Sequence, residues 1–341
     1  MLIISCILFA DDLAVLASCM ASLRILMDIT FTFFKNHRMD ISEKKSKLFL
    51  YSSETGETHF IVSGKETPLT LEHVITFKYL GVPVNSSPRN FYTDFNTQVK
   101  QRSMQYLTSI KSLSRSGPDQ AQLASSLWTS CAIHSALYGV AIMPITEGTL
   151  NELEVHNREV ARFILQLPEK SCNAACYIDA GLRPMWSIVA EKVLMYAFSV
   201  MTSPSSRWAR IAMDENLKLG SSSPYTRWLR KWKLATGSSC VSQEDIQKDI
   251  RRSAIAYVLR EKERTMITSF PLNIDVLTSK WFSLKPWVSD SILSKMFARF
   301  RCCNLVLGNR GYHYGGEPVP LCPLCSSRGL HRLNNEVNKK D

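Results

Sequence analysis

No stretch of this 341-residue sequence reaches the ~18 uncharged apolar residues of a membrane span. No membrane partner is therefore expected. The ten cysteines suggest no disulfide framework: they are scattered, and only Cys322 and Cys325 show tight metal-like spacing. A chain of this length needs no covalent staples, so the pattern points to a reducing compartment, nucleus or cytoplasm. Residues 2–10 are apolar like the centre of a signal peptide. However, no Lys or Arg precedes them, and Asp11 and Asp12 fall where the apolar run should continue. No segment repeats. Acidic side chains are in short supply, 30 against 41 Lys and Arg, leaving a formal charge of +11. A surface with that imbalance attracts polyanions, nucleic acid foremost. What is present is a globular composition, 45% apolar and 10% aromatic, in a chain long enough for roughly two or three domains.

The most informative stretch is the first, MLIISCILFADDLAVLASC. Residues 2–9 and 13–19 are short, apolar and rich in Ile, Leu and Val, which suits strands buried on at least one face. Ala10, Asp11 and Asp12 would then form a tight bend carrying both carboxylates. The alternative, one continuous helix, would set two charges in an apolar surface. From Ser22 to His37 the apolar spacing becomes helical. MDISEKKSKLFLYSS ends that helix and resumes a strand near Leu48–Tyr51, and VITFKYLGVPV reads as a strand pair bent at Gly81. Beyond Pro88 the pattern is helical, with Phe91, Phe95, Val99, Tyr106, Ile110 and Leu113 on one stripe. Further helices are expected from about Pro118, over Thr149–Leu167 and over Trp186–Met201. The stretches TSPSSRW (Thr202–Trp208) and GSSSPYTRW (Gly220–Trp228) read as loops.

Adjacent aspartates on a rigid hairpin have a specific chemical use. Nucleotidyl transfer by two metal ions needs carboxylates that hold divalent cations about 4 Å apart. Mg²⁺ suits such a site because it takes a few carboxylates and keeps water and phosphate in its other positions. ILFADDLAVLA resembles the catalytic hairpin of reverse transcriptases from non-LTR (LINE-type) retrotransposons, in which an aromatic–Ala–Asp–Asp core is flanked by apolar strands. MDISEKKSKLFL resembles the following family segment, with Ser42 where Asn is common. FKYLGVPV resembles the segment that holds the primer end, and LNELEVHNREVARFILQLP and AGLRPMWSIVAEKVLMYAF resemble the thumb helices. These resemblances run in family order over residues 2–200.

The resemblance implies an α+β fold: antiparallel palm hairpins plus a helix over 1–88, then a helical thumb over 89–201. A basic helical linker region over 202–300 and a truncated zinc-knuckle-like tail over 301–341 would follow. It makes Asp11 and Asp12 the Mg²⁺ ligands, sets Phe9 beside nucleotide or primer, and places Lys45, or Lys47, near the incoming triphosphate. A solvated turn is the plain reading of the same lysines. Tyr79, Leu80 and Gly81 match the primer-holding hairpin. The implied partners are an RNA template and a DNA primer, and the implied family activity is RNA-directed DNA polymerisation. In this family another metal-binding aspartate and the fingers precede the ADD hairpin, whereas eight residues precede Phe9 here. The chain alone is therefore expected to be inactive as a polymerase. A non-enzymatic RNA- or DNA-binding remnant is the alternative.

Two other constellations carry chemistry. Arg207, Arg210, Lys218, Arg227, Arg230, Lys231 and Lys233 are interleaved with Trp208, Trp228 and Trp232. Cations with aromatics suit phosphate neutralisation with base stacking, with Arg227, Arg230 and Lys231 as the central contacts. A solvated helix face with its tryptophans turned to the core fits the same letters. At the C-terminal end, Cys322-x₂-Cys325 has the spacing of half a Zn²⁺ site, and His331 is the nearest further ligand.

Overall fold

The computed structural model describes residues 6–42, 44–51, 59–62, 69–87, 90–113, 120–167, 171, 173–178, 180–237 and 242–263. The chain divides into two compact units, residues 1–98 and residues 99 onward. Both coarse elements of the expected α+β class are present, small sheets in the first unit and helices in the second. No described helix is long and apolar enough to cross a membrane.

In the first unit, β1 (Cys6–Phe9) pairs antiparallel with β2 (Asp12–Val15), so the hairpin reading holds over the helix. Contrary to the expectation of a buried face, β1 is exposed at all four residues. α1 (Met20–Asn36) follows and buries Met27 and Phe31. These meet Leu48 of β3 (Lys47–Phe49) and Leu71 of β5 (Leu69–Val74), with Val15, Met20, Leu23, Ile41 and Leu50 around them. β3 runs parallel to β5, and β4 (His59–Val62) pairs antiparallel on the other side of β5. A second hairpin joins β6 (Thr76–Tyr79) to β7 (Val82–Asn85). Strands β4 and β5 were not foreseen from the sequence.

α2 (Thr93–Leu113) begins in the first unit and continues into the second. Its inward stripe is Phe95, Val99, Leu107 and Ile110, while Leu113 at its end is 65% exposed. In the second unit, α3 (Gln120–Leu127) passes through one π-helical turn, Trp128–Ala132, into α4 (Ile133–Ala136). α5 (Glu147–Leu165) is N-capped by Thr146 and ends with Gln166 in the left-handed region. α6 (Asn173–Ile178) and α7 (Met185–Met201) follow. Residues 202–263, within the stretch 202–300 expected as a basic helical linker region, supply three helices, α8 (Trp208–Lys218), α9 (Pro224–Thr236) and α10 (Gln243–Glu263), which fall in the second unit. α7, α9 and α10 pack on one another. The stretch read as a loop at Gly220–Trp228 is corrected. Ser223 caps α9 by accepting from the Thr226 N–H, and Pro224 occupies its first turn, where its missing N–H costs nothing.

Candidate functional site

At the tip of the first hairpin, Phe9 lies directly opposite Asp12, leaving Ala10 and Asp11 as a two-residue turn. Ala10 adopts φ +51°, a conformation a Cβ disfavours, so the turn is tight at some local cost. Asp11 and Asp12 are both exposed, and Phe9 is 62% exposed beside them. Two adjacent carboxylates with open surroundings can hold one hard cation that keeps most of its water. They do not meet the needs of a two-metal site. Among the described residues no three His, Cys, Asp or Glu side chains gather as a metal group. Lys45 sits exposed on the turn before β3, its N–H donating to the Ser42 carbonyl. Lys47 is engaged elsewhere, pairing with Glu72 of β5 at 2.5 Å.

The second hairpin has its own strained tip. Leu80 (φ +47°) and Gly81 (φ +82°) are the two turn residues, and consecutive positive φ values match the twist of a two-residue hairpin. α2 touches this hairpin at both ends. Gln98 Nε2 donates to the Gly81 carbonyl at 3.1 Å. Asp94 accepts from Thr76 Oγ1 at 2.8 Å and from Asn85 Nδ2 at 3.0 Å.

The basic stretch resolves into two roles. Trp228 and Trp232 are 5% and 2% exposed and meet edge to face. They belong to the core, and Trp228 Nε1 donates to the Val140 carbonyl. Lys231 lies over both rings and pairs with Glu147. Arg210 pairs with Asp214, and Lys218 pairs with Glu215. Arg227 and Arg230 are exposed on α9, a helix with no acidic residue, and have no ion pair among the described residues. The exposed aromatic of the region is Trp208, at 53%.

Sequence reasoning missed a buried polar network in the second unit. Glu154 of α5, 7% exposed, accepts from Tyr177 Oη at 2.8 Å and from the Met185 N–H at 2.7 Å. It thereby caps the start of α7, where a helix favours negative charge. Burial raises its pKa, opposed by the Tyr177, Met185 and Asn157 hydrogen bonds. Asn157 accepts from Trp128 Nε1 at 2.9 Å and donates to the Arg183 carbonyl at 3.0 Å. Thus the two stretches that resemble thumb helices interlock through Glu154 and Asn157. The available signal was position: Glu154 and Asn157 sit among Leu150, Leu153, Val160, Ala161 and Ile164, on the buried side of α5.

Nearby, buried His156 pairs through Nδ1 with buried Ser103 of α2 at 2.9 Å. Burial lowers its pKa, against the upward pull of Glu152 and Glu159. The folded chain therefore binds this proton less readily than the unfolded chain. The corresponding stability is present above the ordinary histidine range and is lost as pH falls below about 6.5 toward the lowered folded value. Thermal melts from pH 7.5 to 5.5 should show wild-type losing a few degrees more than His156→Gln. Parallel slopes would remove His156 as the cause.

Cys322, Cys325 and His331 lie outside the described residues, as do the rest of the zinc-knuckle-like tail and residues 264–300. Cys176 is buried on α6, and Cys172, four residues before it, is outside the described residues. Compared with models of protein families, with curated proteins and with solved structures, the chain matches none of them.

Proposed function

We propose that this chain is a nucleic-acid-binding portion of a non-LTR-type reverse transcriptase, with residues 1–88 corresponding to part of the palm and residues 89–201 to the thumb. The observation that carries the reading is the FADD hairpin itself, a two-residue turn with Phe9 opposite Asp12 and both carboxylates exposed at its tip. An α-helix, a further hairpin at Tyr79–Val82 and a set of helices follow it in the order the resemblance implies. The partners are an RNA template and a DNA primer. Asp11 and Asp12 take one Mg²⁺, Lys45 faces phosphate, and Tyr79, Leu80 and Gly81 approach the primer end. Arg227 and Arg230 neutralise phosphates. Zn²⁺ belongs to this proposal only through Cys322, Cys325 and His331.

Binding and catalysis separate in this reading. The paired carboxylates supply one side of a two-metal site, so the chain alone binds primer–template without extending it. The test uses a recessed RNA–DNA primer–template, with anisotropy for binding and a gel for dNTP incorporation. We expect binding that weakens with salt, no extension, and Mn²⁺-induced broadening of resonances around residues 9–13 that disappears in Asp11→Asn/Asp12→Asn. Absence of binding at low salt would overturn the proposal, and robust extension would overturn its non-catalytic half.

A further inference from the structure

Leu80 is the wrong residue for its backbone. Both central positions of the β6–β7 turn have positive φ, where Gly and Asn are favoured and a branched apolar side chain is strained. Strain of this kind persists only where surrounding contacts over-determine the conformation. One helix, α2, supplies such contacts at both ends of the hairpin. At the open end of the hairpin, Asp94 gathers Thr76 of β6 and buried Asn85 of β7, so a single carboxylate ties the two strands together. Asn85 also orders the chain beyond the hairpin, its Oδ1 accepting from the Ser87 N–H at 2.9 Å. At the tip, Gln98 holds the carbonyl of Gly81, the residue that follows Leu80. Asp94 and Gln98 are four residues apart, so they emerge one above the other on the same side of α2.

We infer that Asp94 and Gln98 are positioning residues, a two-point brace that keeps Leu80 in a conformation it disfavours so that this hairpin tip is ready-made for its ligand. The ligand part of the inference rests on the primer–template reading above; the brace itself does not. Side-chain chemistry defines the replacements that should and should not work. Gln98 must donate to a carbonyl, so Gln98→Ala loses the contact and Gln98→Glu opposes it with a like partner. Gln98→Lys, with an ammonium on a stem of sufficient reach, restores a donor. Glycine at position 80 has no Cβ to strain and should not need the brace.

The experiment is a double-mutant cycle on the full chain with wild-type, Gln98→Ala, Leu80→Gly and the double variant, plus Gln98→Lys. Hydrogen exchange of the peptide covering 76–85 is read by mass spectrometry, and affinity for the recessed primer–template by anisotropy. Gln98→Ala should speed exchange of that peptide about fivefold, the factor corresponding to the strain of one left-handed non-glycine residue. It should weaken primer–template binding by a similar factor, and Gln98→Lys should restore both. In the Leu80→Gly background, Gln98→Ala should change exchange by less than twofold. Equal effects in both backgrounds, or no effect of Gln98→Ala on exchange, would overturn the brace. If the brace behaves as expected while no variant binds primer–template, the ligand assignment fails and the brace stands.

Discussion

Glu154→Ala is expected to destabilise the helical unit by about 3–5 kcal/mol, the range for stripping the acceptor from a buried, fully hydrogen-bonded carboxyl. The truncation strands the Tyr177 hydroxyl and the Met185 N–H, which opens α7, and it removes the side chain beside Asn157. Glu154→Gln is the informative companion. Its Oε1 can still accept from Met185 while its amide donates to Tyr177 Oη, so the loss should be nearer 1–2 kcal/mol. Urea unfolding followed by tryptophan emission measures both, because Trp128 donates to the neighbouring Asn157. The pH dependence has a definite sign. The folded-state pKa of Glu154 is raised, so the folded chain holds this proton more tightly than the unfolded chain. The associated stability is fully present below the ordinary carboxyl range and is lost as pH rises through the raised value. Wild-type should therefore gain on Glu154→Gln as pH falls from 7 to 5, and a constant gap would show that Glu154 does not titrate there. His156 acts in the opposite sense below about pH 6.5. Comparison with the Gln variant at each pH cancels that term.

The parts of this fold legible in the sequence are those specified locally. The FADD turn was readable because Ala10, Asp11 and Asp12 separate two short apolar runs, and the YLGV turn because Gly81 marks a bend. α1 was readable from the 3- and 4-residue spacing of Leu23, Leu26, Met27, Thr30, Phe33 and Phe34, of which Met27 became core; Phe31, the helix's other buried residue, lay outside that set. Strands β4 and β5 escaped because pairing across sequence, not periodicity, defines them: β5 is central only by virtue of β3 and β4 on its two sides. Pro224 misled because a Ser/Pro cluster spells either a loop or a helix start, and only the Ser223 cap distinguishes the two. The candidate site divides the same way. Asp11 and Asp12 could be placed on a turn from the letters alone. Which lysine is free could not be, since Lys47 is taken by Glu72, twenty-five residues away. Nor could the letters separate Trp228 and Trp232 from Trp208, because burial depends on what α7 and Val140 present to α9.

That separation leads to the second large effect, on α9. The sequence alone leaves two accounts of its alternating cations and tryptophans, phosphate contact with base stacking or a solvated helix face with its tryptophans turned to the core. Trp228 and Trp232 cannot stack on a base without leaving the core, so what this helix offers a nucleic acid is the charge of Arg227 and Arg230. Arg227→Gln/Arg230→Gln should therefore weaken single-stranded RNA binding roughly 25-fold at 0.1 M salt, and flatten the log–log salt dependence by about 1.4, two phosphate contacts at ~0.7 each. Sequence preference should not change, since phosphate contacts carry none. The melting temperature should stay close to wild-type, because both side chains are exposed. Trp232→Ala should instead cost about 3–5 kcal/mol of stability as a large buried ring is lost. Lys231→Met is the control that divides the basic residues. Its ammonium is committed to Glu147 and to the two indole rings, so removing it should leave the salt slope unchanged and move stability by no more than about 1 kcal/mol. A salt slope that falls as much for Lys231→Met as for the arginine pair would mean that Lys231 leaves its indole seat to meet RNA. An unchanged slope in the arginine pair would take α9 out of the binding surface altogether.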